Sequence, residues 1–332
     1  MTVLPHAYLA VDFFFALSGF VVAYSYRQRL LEGMSTLSFM KIHLVRLYPL
    51  TFIGVLLGAI NQLGHQFSLD AAHVSAPIFA IGVCYALLAA PMYFPFEPAW
   101  GLYSMNLPSW SLLYEILANW LFGGLGSNAT TKLTFTICTI SFASLVPLAI
   151  LLDGVNAFKP GMLGWTAPAG LTRVGFSFFL GIFIEQRYNG AVASRIRLSL
   201  LPASFLMLSL FQAPIVPGFN AAFDLLFIAI ASPFLVIGGA NSLGTPRTRS
   251  AEDVLGRLSY PLYIVHLPII LLTFAAVKLV HLSDTLPVLL VALIALGAAF
   301  SAATISEQWD ARVRRWLTLR LNPPRQLASA PR

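Results

Sequence analysis

The most regular feature of the chain is an alternation of long apolar runs with short polar segments. The runs have roughly 17 to 22 residues, about the length of a helix that crosses a lipid bilayer. Their hydrophobicity is continuous, whereas the strands of a membrane β-barrel alternate from one residue to the next. The pattern predicts an all-α, polytopic membrane protein with about 9–10 transmembrane helices and no soluble domain. The predicted helices cover residues 8–26, 42–62, 76–95, 109–125, 132–152, 170–185, 198–213, 222–240, 259–280 and 286–305.

Four polar segments are strongly basic, and each is expected on the cytoplasmic side of the membrane. They comprise residues 26–46, 185–197, 245–257 and 311–320. The C-terminus is therefore predicted to be cytoplasmic. Residues 1–310 are expected to form the transmembrane domain, and residues 311–332 a basic, partly disordered cytoplasmic tail.

The number of spans between the first two basic segments needs one adjustment. Five apolar runs lie between them, and an odd number cannot connect two loops on the same side. The run at 109–125 is the weakest because it is short and contains Glu115. We expect it to be a short or re-entrant segment, which leaves nine spans and an N-terminus on the outer side. A start on that side suggests that an upstream helix is missing.

Composition supports the membrane prediction and changes how the charge is interpreted. Of the 332 residues, 58% are hydrophobic and 10% are charged, whereas about 25% charged residues are typical of soluble domains. A net charge of +7 would suggest nucleic acid in a soluble protein. Here the basic residues flank apolar runs, so the expected partner is the lipid bilayer and no nucleic acid. Cys84 and Cys138 lack metal-ligand spacing, and no metal site or bound cofactor is predicted.

Ionisable residues inside apolar runs are costly and often mark functional sites. Asp12 lies in "LAVDFFFALSGF", before Ser18 and Gly19, a small pair that allows close helix packing. It is either an interfacial carboxylate near the start of its helix or part of a polar site. Arg173 also begins a helix, where an interfacial position would explain it. Asp224 either pairs with a cation or has no role.

The segment "FMKIHLVRLYPL" places Lys41, His43 and Arg46 at the cytoplasmic mouth of a helix. His43 and Arg46 are three residues apart and share a helical face. These residues either anchor the helix in the positive-inside manner or form a cradle for a phosphate-rich anion.

The segment "NLPSWSLLYEILANWLF" has the densest group of polar side chains. Ser111 and Glu115 are four residues apart on one helical face, with Trp110 and Tyr114 beside them. Glu115 is either a hydrogen-bond partner for a neighbouring helix or an acid or base in a reaction, and we favour the second interpretation.

The segment "LGRLSYPLYIVHLPII" places Tyr260, Tyr263 and His266 close to one face of an apolar helix. A lone histidine in a helix is usually a satisfied structural residue. Three polar groups along one face are more typical of a cavity wall.

In this order and spacing, the segments resemble the acyltransferase 3 family of integral membrane proteins, over essentially the whole chain. That family acylates, most often O-acetylates, carbohydrates and other exported molecules. The resemblance implies an acyl-CoA donor reached from the cytoplasm and an acceptor hydroxyl met within the membrane or at its outer face. The phrases that carry it are "YLAVDFFFALSGFVVAYSY", "HLVRLYPL", "LPSWSLLYEILANWLF", "RVGFSFFLG" and "LSYPLYIVHLPI".

The resemblance also implies site residues. Arg46 matches the second basic residue of the family's Arg-x-x-Arg motif, and His43 stands where the first Arg is usual. The other matches are Asp12, Ser18 and Gly19 in the first phrase, Trp110, Ser111 and Glu115 in the third, and Tyr260, Tyr263 and His266 in the last. The family normally begins with a further helix that carries an Arg and a His needed for transfer. This sequence starts after that helix, and His6 lies in the loop that follows it.

The resulting hypothesis is a multi-pass O-acyltransferase of the bacterial inner membrane. It would move an acyl group, expected to be acetyl, from acyl-CoA to a hydroxyl of a carbohydrate such as an envelope polysaccharide or an exported glycoside. The alternatives are a transporter or flippase, and a catalytically silent paralogue. The expected roles are phosphate binding by Arg46, Lys41 and His43, acid–base or orienting chemistry by Glu115 and His266, and hydrogen-bond donation by Ser111, Tyr260 and Tyr263, with Asp12 in the same polar site.

Overall fold

The computed structural model describes residues 4–66, 75–92, 103, 105–151, 167–187, 196–216, 218–242, 246–280 and 287–321. Within these residues all regular structure is helical, which confirms the predicted all-α, polytopic membrane fold. The helices of these residues are α1 (Ala10–Leu31), α2 (Thr36–Gln66), α3 (Ala76–Leu87), α4 (Ser109–Leu125), α5 (Thr131–Leu151), α6 (Ala167–Arg187), α7 (Leu200–Phe211), α8 (Asn220–Ala240, with a π-helical turn at Phe227–Ala231), α9 (Pro246–Leu279) and α10 (Val288–Leu321).

Six of these helices are long and apolar enough to cross a membrane, namely α1, α2, α5, α8, α9 and α10. Several of them continue past the apolar run into the basic segments that the sequence places between spans. α1 continues to Leu31 and α9 begins at Pro246. Hydropathy marks the part of a helix that lies in lipid, whereas Arg, Gln, Glu and Leu favour helix in water as well. α10 likewise continues to Leu321, and residues 322–332 of the predicted tail lie outside the described residues.

The chain forms two compact units. The first unit comprises Met1–Met40 and Trp110–Asp253, and the second comprises Lys41–Ser109 and Val254–Arg332.

In the first unit, α1 and α6 run side by side in the same direction. Asp12 pairs with Arg173 near the start of both helices. Arg27 pairs with Glu185 near their ends, at 2.8 Å between Nε and Oε2. The two helices are in backbone contact between these pairs. A Cβ added to Gly19 would lie 1.9 Å from the carbonyl oxygen of Phe178, so only glycine allows this approach.

α4 runs in the same direction as α1. Near the start of α4, the ring of Trp110 packs edge-on against Phe15, with centroids 6.4 Å apart. At the other end, Thr36, which follows α1, donates a hydrogen bond to the carbonyl oxygen of Gly123. The chain must therefore cross the membrane an odd number of times between α1 and α4.

α8 also runs parallel to α1, and α7 runs the opposite way beside it. Asp224, in the first turns of α8, contacts His6 just before α1, and Val236 lies in one apolar cluster with Ala16 of α1. The amide of Leu198, before α7, donates to the carbonyl oxygen of Gly238 near the end of α8.

In the second unit, α3 is too short to complete a crossing. Its 12 residues span about 18 Å at ~1.5 Å per residue, well short of the ~30 Å hydrocarbon core. It packs beside Val55 and Ala59 of α2 together with Met105. The run at 109–125 forms the 17-residue α4, which is not among the six helices long enough to cross a membrane, and its assignment as the incomplete crossing stays a prediction.

The stretch before α4 carries the irregular backbone that the sequence analysis expected nearby. The carbonyl oxygen of Met105 approaches Gly58 of α2 so closely that a Cβ there would lie 1.5 Å away. Asn106 Nδ2 donates to the carbonyl oxygen of Ile264 at 3.0 Å and lies against Gly54. Non-helical backbone is tolerated at membrane depth where protein groups satisfy it in this way.

Candidate functional site

The first unit contains a fully buried ion pair between Asp12 and Arg173. Arg173 Nε lies 3.2 Å from Asp12 Oδ1 and Nη2 lies 2.5 Å from Oδ2, a bidentate geometry typical of strong charge-assisted hydrogen bonds. Both side chains are 0% exposed, and the guanidinium lies 5.3 Å from the ring centroid of Trp110. Asp12 and Arg173 are therefore buried, and each charge has its counter-ion inside the protein.

Glu115 of α4 lies beside Ser18 of α1. The Ser18 hydroxyl donates to Glu115 Oε1 at 2.8 Å. Ser18 is nine residues from Arg27, or about 14 Å along the helix at ~1.5 Å per residue, and lies in a helix long and apolar enough to cross a membrane. A carboxylate beside such a helix is a candidate site residue by default.

The aromatic and hydroxyl neighbours of Glu115 are buried in the same unit. Ser111 and Trp110 are both buried on α4. Tyr114 lies so close to α6 that a Cβ added to Gly170 would be 2.5 Å from its ring. The structure therefore brings together the α1 and α4 residues that the sequence analysis predicted, and it adds Arg173 to them.

A second buried group lies where α8 begins. His6 Nδ1 is 3.0 Å from Asp224 Oδ1, and the Tyr8 hydroxyl donates to Oδ2 at 2.8 Å. Asp224 therefore has the pairing that the sequence analysis left open. His6 was assigned only to a loop, and no local pattern points to its partner because 218 positions separate the two residues.

In the second unit, a cleft of about 410 Å³ lies along α2 and α10. Lys41 and Arg46 line it from α2, as the anion-cradle interpretation predicts, and Arg314 and Arg315 line it from α10. Ile42, Val45, Ala311 and Thr318 complete its described lining. Sequence reasoning missed the two arginines because it treated residues after 310 as a tail.

His43 does not share this cleft. It is 3% exposed, and the lining residues of α2 are positions 41, 42, 45 and 46, which form one helical face. Binding of one anion by His43 together with Arg46 stays a prediction.

The tyrosines of α9 use their hydroxyls within the second unit. Tyr260 donates to the carbonyl oxygen of Leu47 at 3.0 Å and lies 3.2 Å from Thr51 Oγ1. Tyr263 donates to the carbonyl oxygen of Pro108 at 3.2 Å. These bonds connect α9 to α2 and to the stretch before α4. Donation by these hydroxyls to a substrate stays a prediction.

His266 has a defined ring tautomer. Its Nδ1 lies 2.8 Å from the carbonyl oxygen of Tyr263 and 3.1 Å from that of Leu262. Carbonyl oxygens only accept hydrogen bonds, so Nδ1 carries the hydrogen and the lone pair of the neutral ring is on Nε2. Nε2 is thus the atom through which His266 can act as a base.

Comparisons with known proteins give the family. A family model described as "Acyltransferase domain", of the acyltransferase 3 type, matches residues 3–306. "Protein 2 in picA locus" of Rhizobium radiobacter is 34% identical over 151 residues, which cover 43% of this chain and 78% of that protein. No solved structure matches the chain. The helical fold and this match over most of the chain lead to one assignment: the protein belongs to the acyltransferase 3 family of membrane acyltransferases.

Proposed function

We propose that this protein moves an acyl group, most simply acetyl, from acyl-CoA to a hydroxyl of a carbohydrate such as an envelope polysaccharide or an exported glycoside. It acts as a multi-pass protein of the bacterial inner membrane with its C-terminus in the cytoplasm. Family membership supports acyl transfer. The charge pattern of the loops supports the orientation.

The observation that carries the proposal is Glu115. It is an ionisable group beside α1, a helix apolar enough to cross a membrane, and it accepts a hydrogen bond from Ser18 of that helix. Acyl transfer to a hydroxyl needs a group that takes the hydroxyl proton, and a positioned carboxylate performs this task in many enzymes. Asp12 is engaged by both Arg173 nitrogens, so in this proposal it positions its neighbours and does not itself transfer the proton.

The basic cleft supports an acyl-CoA donor. Lys41 and Arg46 line it near the N-terminal end of α2, which the loop charges assign to the cytoplasm. Ammonium and guanidinium groups are the usual partners of phosphate oxygens. The Nε2 lone pair of His266 makes this residue a further proton acceptor.

The proposed step transfers the acyl group from the CoA sulfur to the acceptor oxygen. The acceptor oxygen attacks the thioester carbonyl carbon, so a C–O bond forms and the C–S bond breaks. The hydroxyl proton passes to Glu115 and ends on the CoA sulfur. The products are the acylated carbohydrate and free CoA thiol.

The test uses the purified full chain in lipid nanodiscs with radiolabelled acetyl-CoA and carbohydrate extracted from bacterial envelopes. We expect the wild-type protein to label the carbohydrate and Glu115→Gln to lose about 100-fold or more of the rate. Glu185→Gln is the matched control. It removes a carboxylate of the same unit that pairs with the partly exposed Arg27, and we expect it to keep the wild-type rate.

Two results would contradict the proposal. Equal labelling by Glu115→Gln and the wild type would remove the assigned role of Glu115. Movement of unlabelled carbohydrate across the membrane of sealed vesicles, with no label transferred, would favour a transporter instead.

A further inference from the structure

The basic cleft has a second wall that the family match does not cover. Arg314 and Arg315 line it from α10, and the family model ends at residue 306. The C-terminal part of α10 thus contributes half of the charged groups around the cleft from outside the shared family region.

Arg314 is held in place by a buried carboxylate one helical turn before it. Asp310 is 2% exposed, and its Oδ2 accepts from Arg314 Nη2 at 2.7 Å. Among the described residues, Asp310 Oδ1 and Arg314 Nε are buried without a hydrogen-bond partner. The Arg314 side chain is 36% exposed and lines the cleft, and a guanidinium has five N–H donors, so Arg314 can pair with Asp310 and also donate to a ligand in the cleft.

The charges around the cleft favour an anionic ligand. Its described lining has four cationic side chains and no carboxylate, and like charges held close together repel each other. Asp310 pairs with one of the four, Arg314. Ile42, Val45 and Ala311 add apolar surface. A ligand that fits carries several negative groups on a partly apolar body, which is the chemistry of a phosphorylated nucleotide.

We propose that Arg314 and Arg315 bind phosphate groups of the CoA donor, opposite Lys41 and Arg46, with Asp310 as the positioning residue of Arg314. This inference rests on the proposed function for its donor and adds the C-terminal half of α10 to the donor site. CoA carries a diphosphate and a 3′-phosphate, enough for guanidinium groups on both walls.

The test compares binding of CoA and of dephospho-CoA, which lacks the 3′-phosphate, to the full chain in nanodiscs of neutral phosphatidylcholine. We expect Arg315→Gln, and the double variant Arg314→Gln/Arg315→Gln, to raise the Kd for CoA about tenfold or more. We also expect them to reduce the preference for CoA over dephospho-CoA. Arg312→Gln is the matched control because Arg312 is exposed on the same helix and does not line the described cleft.

The outcomes separate the inference from the function on which it rests. Failure of the wild type to bind CoA overturns the proposed donor itself. Normal binding by the wild type with an equal Kd for Arg315→Gln, the double variant and Arg312→Gln overturns the inference alone. The single variant leaves the Asp310–Arg314 pair intact, so misfolding of the double variant does not prevent a decision.

A lipid phosphate is the other source of this chemistry. Repeating the measurement with phosphatidylglycerol in the nanodiscs distinguishes the two sources. If the variants lose retention of phosphatidylglycerol while their CoA affinity stays at the wild-type value, the cleft is a lipid site and the inference is overturned.

Discussion

The Asp12–Arg173 pair places two full charges in the interior of the first unit. Removing two charges from water is expensive, and their mutual attraction offsets this cost only when both partners are present. Either charge alone, buried at this position without its counter-ion, would destabilise the protein. Together they connect α1 to α6 and support the face of Trp110.

A double-mutant cycle tests this view. We expect Arg173→Met to destabilise the protein by about 3–5 kcal/mol because it leaves the Asp12 carboxylate buried without its counter-ion. Adding Asp12→Leu should restore most of the loss, since an apolar pair needs no counter-ion. The apparent melting temperature of detergent-purified protein is the measurement. A double variant less stable than the single one would contradict the argument.

The Arg27–Glu185 pair provides the control for that cycle. Arg27 is 37% exposed, and ion pairs exposed to solvent contribute about 1 kcal/mol or less. Arg27→Gln should therefore lower the melting temperature far less than Arg173→Met.

Sequence spacing identified these polar residues but not the residues with which they pair. Ser111 and Glu115 share a helical face, and that follows from their spacing alone. The pairing of Asp12 with Arg173 spans 161 positions, and only tertiary packing produces it. His43 is buried, which its spacing to Arg46 does not indicate.

Among the elements, the backbone contact between α1 and α6 depends on two glycines. Gly19 faces the carbonyl oxygen of Phe178, and Gly181 faces that of Ala16, with added Cβ atoms 1.9 and 2.0 Å from these oxygens. Membrane helices lack a hydrophobic driving force between them, so close contact of this kind supplies much of their association.

We expect Gly19→Ala and Gly181→Ala to force α1 and α6 apart and to lower the melting temperature. Gly239→Ala is the control, because a Cβ at Gly239 meets no atom within 4 Å and alanine favours helix over glycine. That variant should be neutral or slightly stabilising. Equal stability of the Gly19 and Gly239 variants would show that the contact is not essential.

Helix positions were largely predictable from hydropathy, whereas helix ends and the crossing role of each helix were not. α3 has the apolar composition of a span but ends at Leu87. α4 contains Glu115, so its hydropathy makes it a weak candidate for a transmembrane helix. It nevertheless runs beside α1. Hydropathy scores each segment alone, and the direction of α4 follows from its contacts with α1.

For the whole molecule, the parallel directions of α1, α4, α6 and α8 fix which loops share a side of the membrane. The turn after α1 and the turn after α4 lie on one side, and the turn between α7 and α8 lies on the other. The parity argument from the basic segments predicted an incomplete crossing at residues 109–125, and this location stays a prediction.

Cysteine labelling tests this topology in a Cys84→Ser background. We expect Glu32→Cys and Ser127→Cys to react with a membrane-impermeant maleimide from the same side of sealed vesicles, and Ile215→Cys from the opposite side. All three positions are exposed. Opposite labelling of positions 32 and 127 would contradict the parallel arrangement of α1 and α4.

The 161 positions between Asp12 and Arg173 also have a consequence for biosynthesis. At about 5–20 residues per second, roughly 8 to 30 seconds pass on the ribosome between the synthesis of the two residues. During that interval the Asp12 carboxylate, in the first turn of α1, has no counter-ion from α6. We therefore expect Asp12 to acquire its counter-ion only after α6 has been synthesised.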